Sequence, residues 1–295
     1  MQQDLFTIPG LNIPVHSYGL MMVIGFLAAV QLAKFLARRS RLDPEIFVNA
    51  ALIALVSGVI GARLSHVLEN LPQYTNPART FGANLWDAVN MSTGGLTFYG
   101  GFLVAFPILV WYAIWKKVPL RLGMDIVAPC VMVGLAFGRF GCFMNGCCYG
   151  AQCDLPWAVH FPPGSPPFVD QVHDGIISSL ATYSAGVHPA QLYSAFNAFL
   201  IAAVLLAYFT IPHIPGRAFA WMLILKGVSR FLLEMIRTEP AVLGPMSFSM
   251  VVSLVLIVLG IVMWFIFGRI AAARGEIGAR PVSVSSPAPA ARAFG

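Results

Sequence analysis

Seven stretches of this chain, residues 16–37, 46–68, 95–116, 123–144, 189–211, 217–237 and 246–268, are long and predominantly apolar. That pattern constrains the fold more than any motif does. A run of roughly 20 apolar residues is the length of a helical membrane crossing. Inside hydrocarbon every backbone N–H and C=O must be satisfied within the protein, which leaves helices and closed barrels. The runs are too long and too uniformly apolar for the alternating strands of a barrel. Hydrophobic residues make up 58% of the chain and charged residues 10%, against about 25% charged in soluble domains. The expected fold is an all-α integral membrane protein with seven transmembrane helices.

The loops set an orientation. Arg38, Arg39 and Arg41 follow the first run, Lys116, Lys117 and Arg121 the third, Arg217 the fifth, and Arg269, Arg274, Arg280 and Arg292 the last. Asp4, Glu69, Asp87, Asp154, Asp170, Asp174 and Glu239 fall on the other side, with Arg79 among them. The positive-inside rule then predicts an N-terminus outside and a cytoplasmic C-terminus. The formal net charge of +6 belongs to these short loops and gives no sign of nucleic acid as a partner. The opening MQQDLFTIPGLNIP has no basic segment and carries an acid and two prolines, so no cleavable signal peptide is expected. Residues 147–187, without a Lys or Arg, read as an irregular but packed periplasmic loop. The division expected is a transmembrane domain over 1–270 and a disordered cytoplasmic tail over 271–295, ending in the low-complexity PVSVSSPAPAARAFG. No internal repeat is evident.

Three arginines, Arg63, Arg139 and Arg230, interrupt the apolar runs. A guanidinium in hydrocarbon is costly unless it faces a polar cavity or an anion. In a membrane the commonest anion is a lipid phosphate. Lys226, Arg230, Glu234 and Arg237 are spaced by four, four and three residues, so on a helix they form one stripe. One glutamate cannot neutralise the stripe, which favours an anion site over a packing ion pair. Snorkelling to the interface is the plainer reading of Arg63 and Arg139 taken singly; taken together, with Gly58, Gly61, Gly134, Gly138, Gly141 and Gly146 beside them, they point to a shared site. Gly94, Gly95, Gly100 and Gly101 bracket Tyr99 and suggest a re-entrant turn or close backbone contact. Tyr99 alone reads equally as an interfacial aromatic. His188, at the start of HPAQLY, reads as a base, a headgroup contact or a helix-start residue.

These segments together, HSYGLMMVIGF, GARLSHVL, GGLTFYGGF, GLAFGRFGCFMNGCCYG, HPAQLY and SRFLLEMIRTEP, resemble the prolipoprotein diacylglyceryl transferase family in the same order over residues 12–270. The resemblance implies a multi-pass protein of the bacterial inner membrane. It implies transfer of the diacylglyceryl group of phosphatidylglycerol to the lipobox cysteine of prolipoprotein precursors, with release of glycerol phosphate. It needs no cofactor or metal, and a monomer is expected. It places Arg139 and Arg63 with Tyr18, Asn145, Gly150 and Glu234 at phosphatidylglycerol, and Arg139, Arg230, Tyr99 and His188 in catalysis. The chain departs from the family pattern at several positions. Tyr99 stands for a histidine, and a tyrosine, with a pKa near 10, is a poor base at neutral pH. Cys142 stands for an asparagine, Cys147 and Ser194 for glutamates, and Lys226 for a tyrosine.

Four of the five cysteines, Cys142, Cys147, Cys148 and Cys153, lie within twelve residues. At the outer end of the fourth run they would meet an oxidising compartment. One or two disulfides are the leading reading, with three pairings open. A reactive thiol beside the arginines is the second. A metal site ranks lower because the spacing lacks C-x2-C. The rivals to a transferase are a membrane thiol–disulfide oxidoreductase using these cysteines and a non-catalytic phospholipid-binding paralogue.

Overall fold

The computed structural model describes residues 4–8, 13–75, 80–90, 94–95, 97–237, 241–244 and 246–275. In order, the elements are β1 (Asp4–Ile8), β2 (Ile13–His16), α1 (Ser17–Arg39), α2 (Pro44–Glu69), α3 (Leu71–Tyr74), α4 (Phe81–Val89), α5 (Phe98–Trp115), α6 (Leu120–Asn145), α7 (Pro166–His173), α8 (Ala190–Thr210), α9 (Arg217–Glu234), β3 (Ala241–Leu243), β4 (Met246–Ser247) and α10 (Phe248–Ala273). Long helices occupy each of the seven apolar runs. Five of them, α1, α2, α6, α8 and α10, are long and apolar enough to cross a membrane. The chain is therefore a helical membrane protein. α5 is apolar but shorter, and α9 carries Lys226, Arg230 and Glu234 of the charged stripe but ends before Arg237. Two small antiparallel pairs, β1–β2 and β3–β4, add strand structure that an all-α expectation omits. α10 runs past residue 270 to Ala273, and the expected tail beyond 275 lies outside the described residues.

The chain divides into two compact units, residues 33–123 and residues 1–32 with 124–295. In the first, α2 and α5 meet along glycines. A Cβ on Gly61 would stand 2.7 Å from the Gly100 carbonyl oxygen, and one on Gly101 would stand 2.8 Å from that of Gly58. The glycine pair around Tyr99 thus serves close helix contact.

In the second unit α1 lies against α6 in the same manner. A Cβ on Gly25 would come within 2.7 Å of Phe137 Cβ, and one on Gly141 within 3.0 Å of the Tyr18 ring. The apolar centre joins Ala128 and Met132 of α6, Ile201, Ala202 and Leu205 of α8, and Met222 and Leu223 of α9. α9 starts on a carboxylate from another helix. Asp125 of α6, fully buried, accepts from the amides of Gly216 at 2.6 Å and Phe219 at 2.9 Å. The first amides of a helix have no intrahelical acceptor, and an anion there also meets the positive end of the helix dipole. Gly216 has φ +95°, which a side chain would resist. His213 lies 3.5 Å from the same carboxylate. Burial works to lower its pKa, but the hydrogen bond to Asp125 and that to the Ile211 carbonyl oxygen leave it raised.

The 147–187 loop is packed, as its aromatic and proline content suggests. Phe161 and Val187 are buried, α7 supplies Phe168 and Gln171 to the same interior, and Gln171 Oε1 accepts from the Ala185 amide at 2.7 Å. The Tyr149 hydroxyl donates to Asp170 at 2.6 Å, closing the loop on itself.

Candidate active site

Arg63 has a complete set of partners within its own unit. It is 7% exposed. Its Nε donates to the Ala88 carbonyl oxygen at 2.8 Å, Nη1 to Gly94 and Gly95 at 2.8 and 3.0 Å, and Nη2 to Asp87 and Asn90 at 2.6 and 2.7 Å. The Tyr74 ring lies 5.5 Å from the guanidinium carbon. A guanidinium offers five N–H donors in a rigid fork, and five carbonyls fill it. It collects the end of α4 and the segment that leads to α5. Gly95 has to be a glycine here, since its φ is +79° and a Cβ would press on His66 and Arg63. Tyr99, in the first turn of α5, is 54% exposed.

The other unit gathers the remaining charges. On α9, Arg230 Nη2 stands 3.1 Å from Glu234 Oε2 and donates to Ser249 Oγ at 2.8 Å. Glu234 is 2% exposed; its Oε1 accepts from Ser247 Oγ at 2.9 Å. Ser247 in turn caps α10, accepting from the Met250 amide at 3.3 Å. The glutamate therefore fixes Arg230 and ties the end of α9 to the start of α10. Lys226 lies one turn earlier on α9, within electrostatic reach of both Arg230 and Arg139. Arg139 sits on α6, half-buried. Among the described residues, neither Arg139 nor Lys226 has a hydrogen-bond or ion-pair partner. Arg139 also acts on the Tyr18 phenol and, with Arg237, on Cys148. Tyr18, Arg139, Cys148, Lys226, Arg230, Glu234 and Arg237 thus belong to one charged neighbourhood.

The thiols adjoin it. All five cysteines are free thiols in this structure, and the Sγ atoms of Cys142, Cys147 and Cys148 lie within 4.8 Å of one another. Cys153 stands apart from the cluster; its amide donates to the Gly186 carbonyl oxygen. The turn that folds the thiols together uses Gly146 at φ +75° and Cys148 at φ +62°, the latter a conformation that costs an L side chain about 1–2 kcal/mol. Several contacts hold this turn. The Cys147 amide donates to the Cys142 carbonyl oxygen at 3.1 Å, the Cys147 thiol donates to the same oxygen at 3.7 Å, and the buried Gln191 donates to the Cys147 carbonyl oxygen at 2.8 Å. Hydrogen bonds from Cys142 and Cys147, with help from Arg139 and Arg237, push the Cys148 thiol well down against the cost of burial. Gln191 and Ser247 are site-building residues that sequence reasoning missed. Gln191 lies within the quoted HPAQLY, but an uncharged amide in a motif gave no reason to single it out.

Gly150 and His188 meet directly. The Gly150 amide donates to the His188 carbonyl oxygen, Ala151 donates to the Ile236 carbonyl oxygen, and His188 donates back to Ala151. A Cβ on Gly150 would fall 2.7 Å from His188 Cβ, so the glycine permits the crossing. His188 Nδ1 is buried and has no hydrogen-bond partner among the described residues, and its ring lies edge-on to Tyr193 at 6.2 Å. Helix ends and one loop therefore hold unpartnered cations, clustered thiols and a histidine within a single unit.

The sequence model of the family described as prolipoprotein diacylglyceryl transferase matches residues 3–266. The chain belongs to that family. A phosphatidylglycerol–prolipoprotein diacylglyceryl transferase of Clostridium tetani is 30% identical over 88% of this chain and 96% of its own length. One of Corynebacterium efficiens is 30% identical over 90% of this chain and 81% of its own. One of Rhodopirellula baltica is 36% identical over 56% of this chain, and that match spans 33% of the Rhodopirellula protein. A transferase is thus the enzyme class of the chain, in place of an oxidoreductase.

Proposed function

We propose that this chain transfers the diacylglyceryl group of phosphatidylglycerol to the lipobox cysteine of prolipoprotein precursors. The observation that carries the reading is the half-buried Arg139, partnerless among the described residues, beside Lys226 and the braced Arg230. A cation kept in an apolar setting without a counter-ion is complementary to an incoming anion. In the reaction the acceptor's sulfur forms a bond to the glycerol carbon next to the phosphate ester. The carbon–oxygen bond breaks, and glycerol phosphate leaves with the electron pair. Arg139, Lys226 and Arg230 hold the phosphate as its charge grows, the moment at which fixed donors contribute most. Glu234 orients Arg230, and Tyr18 and Asn145 line the same place. His188, with its unpartnered buried Nδ1, is the candidate to accept the thiol proton. Tyr99 is assigned from its motif alone. Arg63 is assigned the shaping of the segment before α5 within its own unit, since its donors are already taken.

The same reading includes seven transmembrane helices over residues 1–270, an N-terminus outside, a cytoplasmic C-terminal tail, and the 147–187 loop in the periplasm. It places a monomer in the inner membrane. The test is transfer by purified protein in detergent with phosphatidylglycerol and a lipobox peptide, followed by peptide mass. A gain of one diacylglyceryl group that Arg139→Ala abolishes supports the reading. Lipid binding without any gain overturns it in favour of a phospholipid-binding paralogue.

A further inference from the structure

Cys142 and Arg139 are three residues apart on α6, so they share a helix face. The thiol cluster therefore sits beside the cation assigned to the phosphate. Two sulfurs bound to one zinc-sized ion at about 2.3 Å each lie roughly 3.8 Å apart in a tetrahedral arrangement. The three Sγ atoms, all within 4.8 Å of one another, need only a small contraction to reach that geometry. Their turn is built by the left-handed Gly146 and Cys148 and anchored by Gln191, so the close approach of three thiols is imposed by the fold. Among the described residues, no fourth histidine, cysteine or carboxylate joins the group. Three protein ligands and one open position is the arrangement in which zinc takes a substrate. Charge also fits: three thiolates with a divalent ion carry one net negative charge, and Arg139 and Arg237 lie within electrostatic reach of Cys148.

We propose that Cys142, Cys147 and Cys148 form a three-thiolate site for a soft divalent d10 cation of the zinc class, whose fourth position takes the acceptor's cysteine thiol. The metal site stands on the cluster alone; its use of the acceptor thiol rests on the transferase reading above. On coordination the acceptor thiol gives up its proton, which the imidazole assigned above as the base, His188, takes up. The metal-held sulfur then attacks the glycerol carbon, the carbon–oxygen bond to the phosphate breaks, and glycerol phosphate leaves toward Arg139. The thioether product is a neutral, weaker ligand and departs. This arrangement supplies an activated nucleophile in a chain whose third run carries Tyr99 in place of a histidine.

The test uses the full chain in detergent, freed of metal and titrated with Co(II) as a visible probe. One equivalent should bind with thiolate charge-transfer and tetrahedral d–d bands, which Cys142→Ser and Cys147→Ser abolish and Cys153→Ser keeps. A lipobox peptide should shift the d–d bands, and the same peptide with serine for its cysteine should not. No bands in reduced wild-type protein, or bands that survive Cys147→Ser, would overturn the site. So would a disulfide among the three cysteines in protein isolated from the membrane. Bands and peptide shift without transfer in the Zn(II)-loaded protein would leave the metal site and remove the transferase reading. Full transfer in the presence of chelator by Cys147→Ser would do the reverse.

Discussion

Arg63 and Arg139 occupy similar stretches of sequence, each a lone cation after small residues in an apolar helix, and the protein puts them to opposite uses. Arg63 spends all five donors on carbonyls of its own unit. Arg139 finds no hydrogen-bond or ion-pair partner among the described residues. A saturated guanidinium organises backbone; an unsaturated one, kept half-buried, suits the phosphate site proposed for it. Arg230 is intermediate in this respect, with the Glu234 carboxylate and the Ser249 hydroxyl among its partners.

Substitutions that exchange fold for function break or sharpen this contrast. The largest effect is expected at Arg139. Arg139→Ala should lower kcat/KM for transfer by about 10²–10³-fold, as for the loss of one donor to a developing charge, while the melting temperature in detergent stays at the wild-type value. A large fall in melting temperature would mean that Arg139 is structural after all. Glu234→Ala comes next. Removing one member of a buried ion pair costs about 3 kcal/mol, so thermal unfolding should shift down strongly, and Glu234→Gln, which keeps the bond from Ser247, should recover part of the loss. Arg63→Lys should show the inverse of Arg139→Ala. An ammonium has three donors for five carbonyls, and each buried group left unpaired costs about 1–3 kcal/mol. Faster amide exchange across 81–90 is the readout, with transfer reduced less than in Arg139→Ala; unchanged exchange would sink the clamp. The smallest effect concerns His213. Its pKa is raised by Asp125 in the folded state from the ordinary 6.5. The protonated pair therefore adds stability that is complete below that value and fades as pH rises through the folded pKa. Wild type should gain melting temperature over His213→Gln on acidification toward pH 6, and lose that advantage in mild alkali.

The helices were legible because hydrophobic length alone specifies them: the run over 123–144 became α6 at Leu120–Asn145, and that over 189–211 became α8 at Ala190–Thr210. The glycines were legible as close contacts but not as to which helix they approach. Spacing on α9 put Arg230 and Glu234 on one face, and they do pair. What the order of residues did not reveal was saturation. Whether a guanidinium is filled depends on carbonyls from residues 87–95, more than twenty positions from Arg63, and no local pattern encodes that meeting. The cysteine cluster was hidden for a related reason. A C-x4-CC spacing in an oxidising setting suggests a bridge without saying which sulfurs meet, and only the left-handed turn at Gly146 and Cys148 brings three of them together and leaves Cys153 aside. Asp125 was silent because its partners, Gly216 and Phe219, lie some ninety residues away.

The two anchors of α9 have a consequence for how the enzyme meets its lipid. Asp125 fixes the first turn of the helix, and the Glu234–Ser247 contact fixes the last. The backbone that carries Lys226 and Arg230 between them is thereby held in place. Its conformational freedom is surrendered during folding, before any substrate arrives, so encounter with phosphatidylglycerol draws on charge attraction with little backbone ordering to do. Affinity should then respond to ionic strength more than to temperature, as befits a rigid electrode set into the membrane.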